Sequence, residues 1–166
     1  QQAQMVRAPG NVCVLGVHSD FDFCQKTVKN LLGSDTLSNK YSWTSANSIN
    51  FGRLLPQACF TVQSYLSLVK KNVISIGDPI DVTIPTGNFG NIFSATIAKR
   101  MGIPIRRLIC ASNENNVLTE FINNGIYSIT DRKFRTTISP AIDILISSNL
   151  ERWIYMLLKD NSSISH

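Results

Sequence analysis

Residues 81–112 read DVTIPTGNFGNIFSATIAKRMGIPIRRLICAS, and the order of features in this stretch sets the fold class. Asp81–Pro85 is a short apolar, β-branched run, which predicts a buried strand. It leads into Thr86-Gly87-Asn88-Phe89-Gly90-Asn91, after which a helix is predicted over about residues 92–101. Gly102-Ile103-Pro104 stops that helix, and Arg107–Ser112 predicts a further strand. A strand, a helix and a second strand in this order form a βαβ unit, which brings a parallel sheet.

Working outward, the same alternation continues. Asn11–Val17 (NVCVLGV) predicts another buried strand, and Ser19 or Asp20 caps a helix whose apolar positions Phe21, Cys24, Val28 and Leu31 recur at helical spacing until Gly33. Residues 34–44 read as a loop. Asn47 to about Lys71 reads as one long helix with a kink at Pro56. A helix capped by Ser112 or Asn113 ends at Gly125, Ser139-Pro140 marks a turn, and a final amphipathic helix covers 149–159. The fold class is therefore α/β, a partial three-layer parallel-sheet domain, with residues 1–166 expected to form a single region.

Composition narrows the function. Hydrophobic residues make up 43 % of the 166 residues and charged residues 16 %, which is globular composition with a surface partly covered by other protein. The net charge of +5 comes from scattered groups, the densest being Lys70-Lys71, Lys99-Arg100 and Arg106-Arg107. No concentrated basic face is expected, so nucleic acid is not an expected partner, whereas a small anionic ligand suits the balance. Four cysteines without a CxxC pair and two histidines do not make a zinc site. Cys13, Cys59 and Cys110 lie in apolar runs and read as buried free thiols of a reducing compartment. No apolar run approaches the ~18 residues of a membrane span.

The Thr86–Asn91 loop sits where ligands bind in parallel sheets, at the carboxyl end of a strand. Its glycines permit close backbone approach, and the amides at the next helix start suit a phosphate. On residue types alone it reads either as an anion site or as an ordinary strand-to-helix turn. It matches neither the Walker loop nor the GxGxxG fingerprint. A second polar cluster spans Ser45, Asn47, Ser48, Asn50 and Arg53; arginine suits bidentate phosphate or carboxylate binding, and the plainer reading is helix capping by Ser45 or Asn47 with Arg53 at the surface. A third, SPAIDI followed by SSNLER (residues 139–152), takes no chemical role from its residue types.

Together these segments resemble the threonine synthase family, including its threonine synthase-like members. The stretches that carry the resemblance are SANSINFGRLLPQ, PTGNFGNIFSATIAKRMGIPIRRLICASNENNVL and SPAIDILISSNLER, with QMVRAPGNVCVLGVHSDFDFCQ upstream. The resemblance implies the type II fold of pyridoxal-phosphate enzymes, similar to the tryptophan synthase β subunit. It also implies a lyase that eliminates phosphate from O-phosphohomoserine, with or without water addition to give threonine. Gly87, Asn88, Phe89, Gly90 and Asn91 then resemble the turn that cradles the phosphate of the pyridoxal phosphate cofactor. Ser45, Asn47, Ser48, Asn50 and Arg53 resemble the region near the small phosphorylated amino-acid substrate.

One family element has no counterpart. The Schiff-base lysine of the family lies in a motif close to Phe-Lys-Asp, and none of Lys26, Lys29, Lys40, Lys70, Lys71, Lys99, Lys133 or Lys159 follows a phenylalanine and precedes an aspartate. The expectation is a fragment of a larger two-domain, cytoplasmic enzyme, inactive by itself and homo-oligomeric at full length. The alternative is a non-catalytic ligand-binding or protein-interaction module derived from the same family.

Overall fold

The computed structural model describes residues 10–162, and of residues 161 and 162 the backbone alone. The sequence of residues 1–10 suggests the tail of a helix followed by a turn at Pro9-Gly10; of these only Gly10 is described, and residues 163–166 also lie outside the described residues. The chain divides into two compact units, residues 1–43 and 44–166.

In the first unit, α1 spans Phe21–Leu32 and α2 spans Asp35–Ser38. Asp20 caps α1 by accepting the Phe23 amide at 2.8 Å, as its residue type predicts. The expected strand over Asn11–Val17 is not formed; these residues are irregular, and Val12, Val14, Leu15 and Val17 are exposed. A strand exists through its ladder, and among the described residues none pairs with this run. The loop expected at 34–44 also contains the single helical turn α2.

In the second unit, α3 spans Phe51–Leu54, a 3-10 turn covers Leu55–Gln57, and α4 spans Ala58–Lys70. The sequence suggested one helix from Asn47. It begins later because Asn50 takes the cap position, accepting the Gly52 amide at 2.9 Å. At Pro56, where a kink is expected, the helical backbone tightens into the 3-10 turn between α3 and α4, since proline has no N–H to continue the α-helical ladder. The βαβ unit follows: β1 is Ile80–Pro85, α5 is Gly90–Arg100 and β2 is Ile105–Ala111. The strands pair in parallel, from Asp81 with Arg107 to Pro85 with Ala111. Asp81 and Arg106 close the strand starts with a two-bond ion pair at 2.9 and 2.7 Å, and that guanidinium holds the Asp81 carboxyl below the usual carboxylate range. Both groups are solvated, so the pair adds little to stability.

Beyond the sheet, α6 is Val117–Asn124, stopped by the left-handed Gly125 (φ 73°), and α7 is Leu150–Ser162. Between them the chain is irregular apart from a 3-10 turn at Pro140–Ile142. The core forms around α5, whose Ile92, Phe93 and Ala95 meet Leu54, Ile84, Phe89, Val117, Leu118 and Leu150. Among the described residues no helix is long and apolar enough to cross a membrane. The thiols differ from expectation: Cys13 and Cys59 are exposed, and Cys110 is half-buried against the core.

Leu54 has no exposed surface and carries the contact of α3 with α5. Leu54→Ala is expected to lower stability by about 2–5 kcal/mol through lost transfer energy and a residual cavity, read from the shift in urea midpoint.

Candidate functional site: an anion cradle between β1 and α5

The Thr86–Asn91 turn connects β1 to α5, and its conformation is fixed from several sides. Thr86 donates its amide to the Ala111 carbonyl (2.8 Å) and its hydroxyl to the Ile84 carbonyl (2.7 Å), so the turn starts in register with both strands. Phe89 adopts a left-handed backbone (φ 64°) immediately before the helix. For a bulky residue that costs about 1–3 kcal/mol. Burial of its ring returns about 1.5–3 kcal/mol, and the ring packs tilted against Trp153 at 5.7 Å between centroids.

The polar groups are then locked. Asn88 accepts the Gly90 amide on its side-chain oxygen (3.1 Å) and donates its side-chain nitrogen to the Ser48 hydroxyl (2.7 Å). The Asn88 carbonyl accepts both the backbone and the side-chain nitrogen of Asn149, at 3.0 and 3.1 Å. The Gly87 carbonyl accepts the Ser147 hydroxyl at 2.5 Å. With its carbonyls satisfied, the turn presents its amides: those of Gly87, Asn88, Phe89, Asn91 and Ile92 donate to no acceptor among the described residues. Free amides at a helix N-terminus suit an anion, with the helix dipole adding to the attraction. Gly87 is required by close approach, since a Cβ there would lie 3.1 Å from the Ile142 Cα and 3.0 Å from the Ile144 side chain.

Of the second polar cluster, the structure brings Ser48 to the turn. Ser45 accepts the Asn47 amide, Asn47 accepts the Ile49 amide and the Ser48 hydroxyl, and Asn50 donates to the Ser45 carbonyl, so these side chains brace their own segment. Arg53 is exposed and donates to the Ala46 carbonyl. Asn91 is exposed, with a side chain free of partners among the described residues. Burial pushes the Cys110 thiol up, against a hydrogen bond with Thr86 that draws it down, so it stays a neutral thiol beside the turn.

The residues missed from sequence lie in SPAIDILISSNLER. Ser147, Ser148 and Asn149 are buried, and Arg152 donates to the Ser48 carbonyl (3.0 Å), the Ile49 carbonyl and the Asn149 side-chain oxygen (2.7 Å). A signal was present. Positions three and four residues from Arg152 hold Ser148, Asn149, Tyr155 and Met156, so no helix-spaced carboxylate claims the guanidinium.

Asp143 anchors the same segment. Its carboxylate accepts the Thr137 amide (2.8 Å) and hydroxyl (2.7 Å) and the side-chain amides of Asn113 (2.6 Å) and Asn115 (3.1 Å). The Thr137 amide is the largest influence holding this carboxyl below its ordinary range. Away from the turn, an open groove of about 1020 Å³ lies between α3, α5 and α7, lined by apolar groups such as Phe51, Leu55 and Tyr155. Its lining lacks the convergent amides of the turn, so the turn is the better ligand site despite the groove's size.

Known proteins place this architecture. The chain is 49 % identical over 171 residues to threonine synthase-like 1 of Homo sapiens, covering 99 % of this chain and 23 % of that protein. It superposes on threonine synthase from Escherichia coli with a TM-score of 0.79 at 30 % identity, covering 92 % of this chain and 34 % of that one. It also superposes on pyridoxal-phosphate-bound threonine synthase from Brucella melitensis with a TM-score of 0.71 at 35 % identity, covering 89 % and 30 %. The chain belongs to the threonine synthase family. Its fold is that of the type II pyridoxal-phosphate enzymes. No protein-family model matches the chain. It spans about a quarter to a third of the length of these relatives.

Two outcomes follow from this geometry. Gly87→Ala is expected to destabilise by about 1–3 kcal/mol, because the Ile142 backbone must move, and the change is read by urea unfolding. Asp143, with its depressed folded value, contributes stability that is complete above the ordinary carboxylate range of ~3.9 and is lost as pH falls through the folded value. Asp143→Asn is expected to lower the urea midpoint at pH 7 and to flatten its fall between about pH 5 and pH 3.

Proposed function

We propose that this chain supplies the phosphate-binding half of the pyridoxal-phosphate site of a threonine synthase-like lyase whose substrate is O-phosphohomoserine. The single observation that carries the reading is the set of amides at Gly87, Asn88, Phe89, Asn91 and Ile92 that meet no acceptor among the described residues, at the carboxyl end of β1 and the N-terminus of α5. A phosphate monoester is a dianion with three acceptor oxygens, and it matches this cluster of donors in charge and in number. The kinship with a pyridoxal-phosphate-bound threonine synthase supports that choice of phosphate. When bound, the cofactor supplies an electron sink for breaking the carbon–oxygen bond to phosphate.

The chain's own residues hold and orient. Gly87 keeps the turn pressed against Ile142 and Ile144, and Asn88 fixes the amides by bonding Gly90. The side chain of Asn91 is free to reach a ligand oxygen. Ser45, Asn47, Ser48, Asn50 and Arg53 shape the neighbouring segment, which we assign to the phosphorylated amino-acid substrate. Four free thiols among the described residues support a reducing compartment, which we take to be the cytoplasm.

By itself the chain binds without turnover. Lys99 donates to the Arg106 carbonyl at the far end of α5, and Lys70 lies in the last turn of α4. None of the eight lysines stands in the Phe-Lys-Asp setting, an observation that equally favours a non-catalytic ligand-binding module of the same descent.

Equilibrium dialysis of the full chain with pyridoxine 5′-phosphate and with pyridoxine tests the reading; neither carries an aldehyde that surface lysines capture. The phosphorylated form is expected to bind and to be displaced by inorganic phosphate, with no phosphate released from O-phosphohomoserine. Equal binding of the two forms, or binding of neither, overturns the phosphate cradle; phosphate release by the chain overturns the predicted inactivity.

A further inference from the structure

Four residues from three separate stretches of the sequence close a ring of hydrogen bonds around the turn. Asn88 donates its side-chain nitrogen to the Ser48 hydroxyl (2.7 Å). The Ser48 carbonyl accepts Arg152 Nη1 (3.0 Å), which also donates to the Asn149 side-chain oxygen (2.7 Å). The Asn149 side-chain nitrogen returns to the Asn88 carbonyl (3.1 Å). Arg152 further donates to the Ile49 carbonyl, so one guanidinium holds two consecutive carbonyls of the Ser45–Asn50 segment.

We infer that Arg152 is a positioning residue that couples the Ser45–Asn50 segment to the anion-binding turn, so that both answer a bound phosphate as one unit. The inference rests on the proposed phosphate site. Three arguments support it. First, a guanidinium is planar and its donors diverge in a fixed fork, so holding Ser48, Ile49 and Asn149 together fixes their relative geometry. Second, Arg100, Arg106, Arg132 and Arg135 pair with carboxylates, whereas Arg152, like Arg53 and Arg107, has no carboxylate within salt-bridge distance among the described residues, and of these three it is the one shown bonding across segments. Its half-buried charge is spent on neutral carbonyls, and it remains available to favour an anion nearby. Third, Asn149 is fully buried and Ser48 nearly so. Loss of Arg152 therefore leaves buried acceptors unmet, and the ring cannot simply be replaced by water.

The ring lets a ligand at one segment be felt by the other. Anion binding draws on the Asn88 amide, whose carbonyl and side chain are two corners of the ring. Any adjustment there passes to Ser48 by its hydroxyl and to Arg152 through Asn149. A substrate entering beside Ser48 and Ile49 thus meets a segment already set by the occupied turn.

The test is a titration of the ¹⁵N-labelled full chain with inorganic phosphate, followed by amide signals. In the native chain the signals of Gly87, Asn88 and Asn91 are expected to move together with those of Ser48 and Ile49, with one midpoint. In Arg152→Gln the turn signals still move, the midpoint rises about tenfold, Ile49 no longer responds, and Ser48, still bonded to Asn88 through its hydroxyl, keeps a response. Arg152→Lys restores part of the affinity by keeping the charge. Arg100→Gln, which breaks the Arg100–Asp160 ion pair between α5 and α7, is expected to titrate as the native chain does.

If Arg152→Gln does not fold, Ser48→Ala removes the direct Asn88–Ser48 bond and leaves the route through Asn149 and Arg152, so Ile49 is expected to keep moving with the turn. A native-like titration of Arg152→Gln with Ile49 still responding at the same midpoint, or loss of the Ile49 response in Ser48→Ala, overturns the inference. If the native turn does not respond to phosphate at all, the proposed phosphate site fails, and amide exchange without phosphate decides the ring. Faster exchange at Asn149 and Gly90 in Arg152→Gln, and not in Arg100→Gln, upholds it; unchanged exchange refutes it.

Discussion

The Asn88 carbonyl, held by both nitrogens of Asn149, is the constraint on which the rest of the site depends. A strand-to-helix turn with a left-handed aromatic residue is costly by itself. Two hydrogen bonds at about 0.5–1.5 kcal/mol each, added to the burial of Phe89, are of the size needed to offset that cost. They also consume the turn's acceptors. What remains without an acceptor among the described residues is donors, and donors gathered at a helix N-terminus suit an anion.

The same bonds explain why the C-terminal part of the unit matters. Asn149 is placed by α7, and Asp143 places the chain entering it by gathering Thr137, Asn113 and Asn115. Ile142 and Ile144, the neighbours of Asp143, are the groups that press on Gly87. The glycine at the site is thus explained from outside the turn. The irregular stretch between α6 and α7 has few repetitive backbone bonds, and side-chain bonds take their place. That is consistent with a segment whose task is to hold a shape rather than to build a layer.

The βαβ unit was legible in the sequence because Asp81–Pro85 and Arg107–Ser112 are apolar runs of strand length flanking a glycine turn. The anion reading of Gly87–Asn91 was legible as one of two alternatives, and its amides needed coordinates. Asn11–Val17 misled because an apolar β-branched run reports on burial and pairing together, and neither occurs here. The helix from Asn47 misled because the apolar stripe says nothing about Asn50 competing for the backbone. Asn149 and Arg152 were invisible for a related reason. Polar side chains that bond backbone carbonyls about sixty or a hundred residues away leave no periodic trace, and only the missing carboxylate near Arg152 hinted that it was spoken for.

The most direct measurement of the central claim is a crystal structure of the chain with pyridoxal phosphate. The account predicts phosphate density within hydrogen-bond distance of the amides of Gly87, Asn88, Phe89, Asn91 and Ile92, with both Asn149 bonds to the Asn88 carbonyl intact. Phosphate density instead in the basic pocket formed by Arg132, Lys133 and Arg135, or a turn whose amides have folded onto the chain's own acceptors, would contradict it.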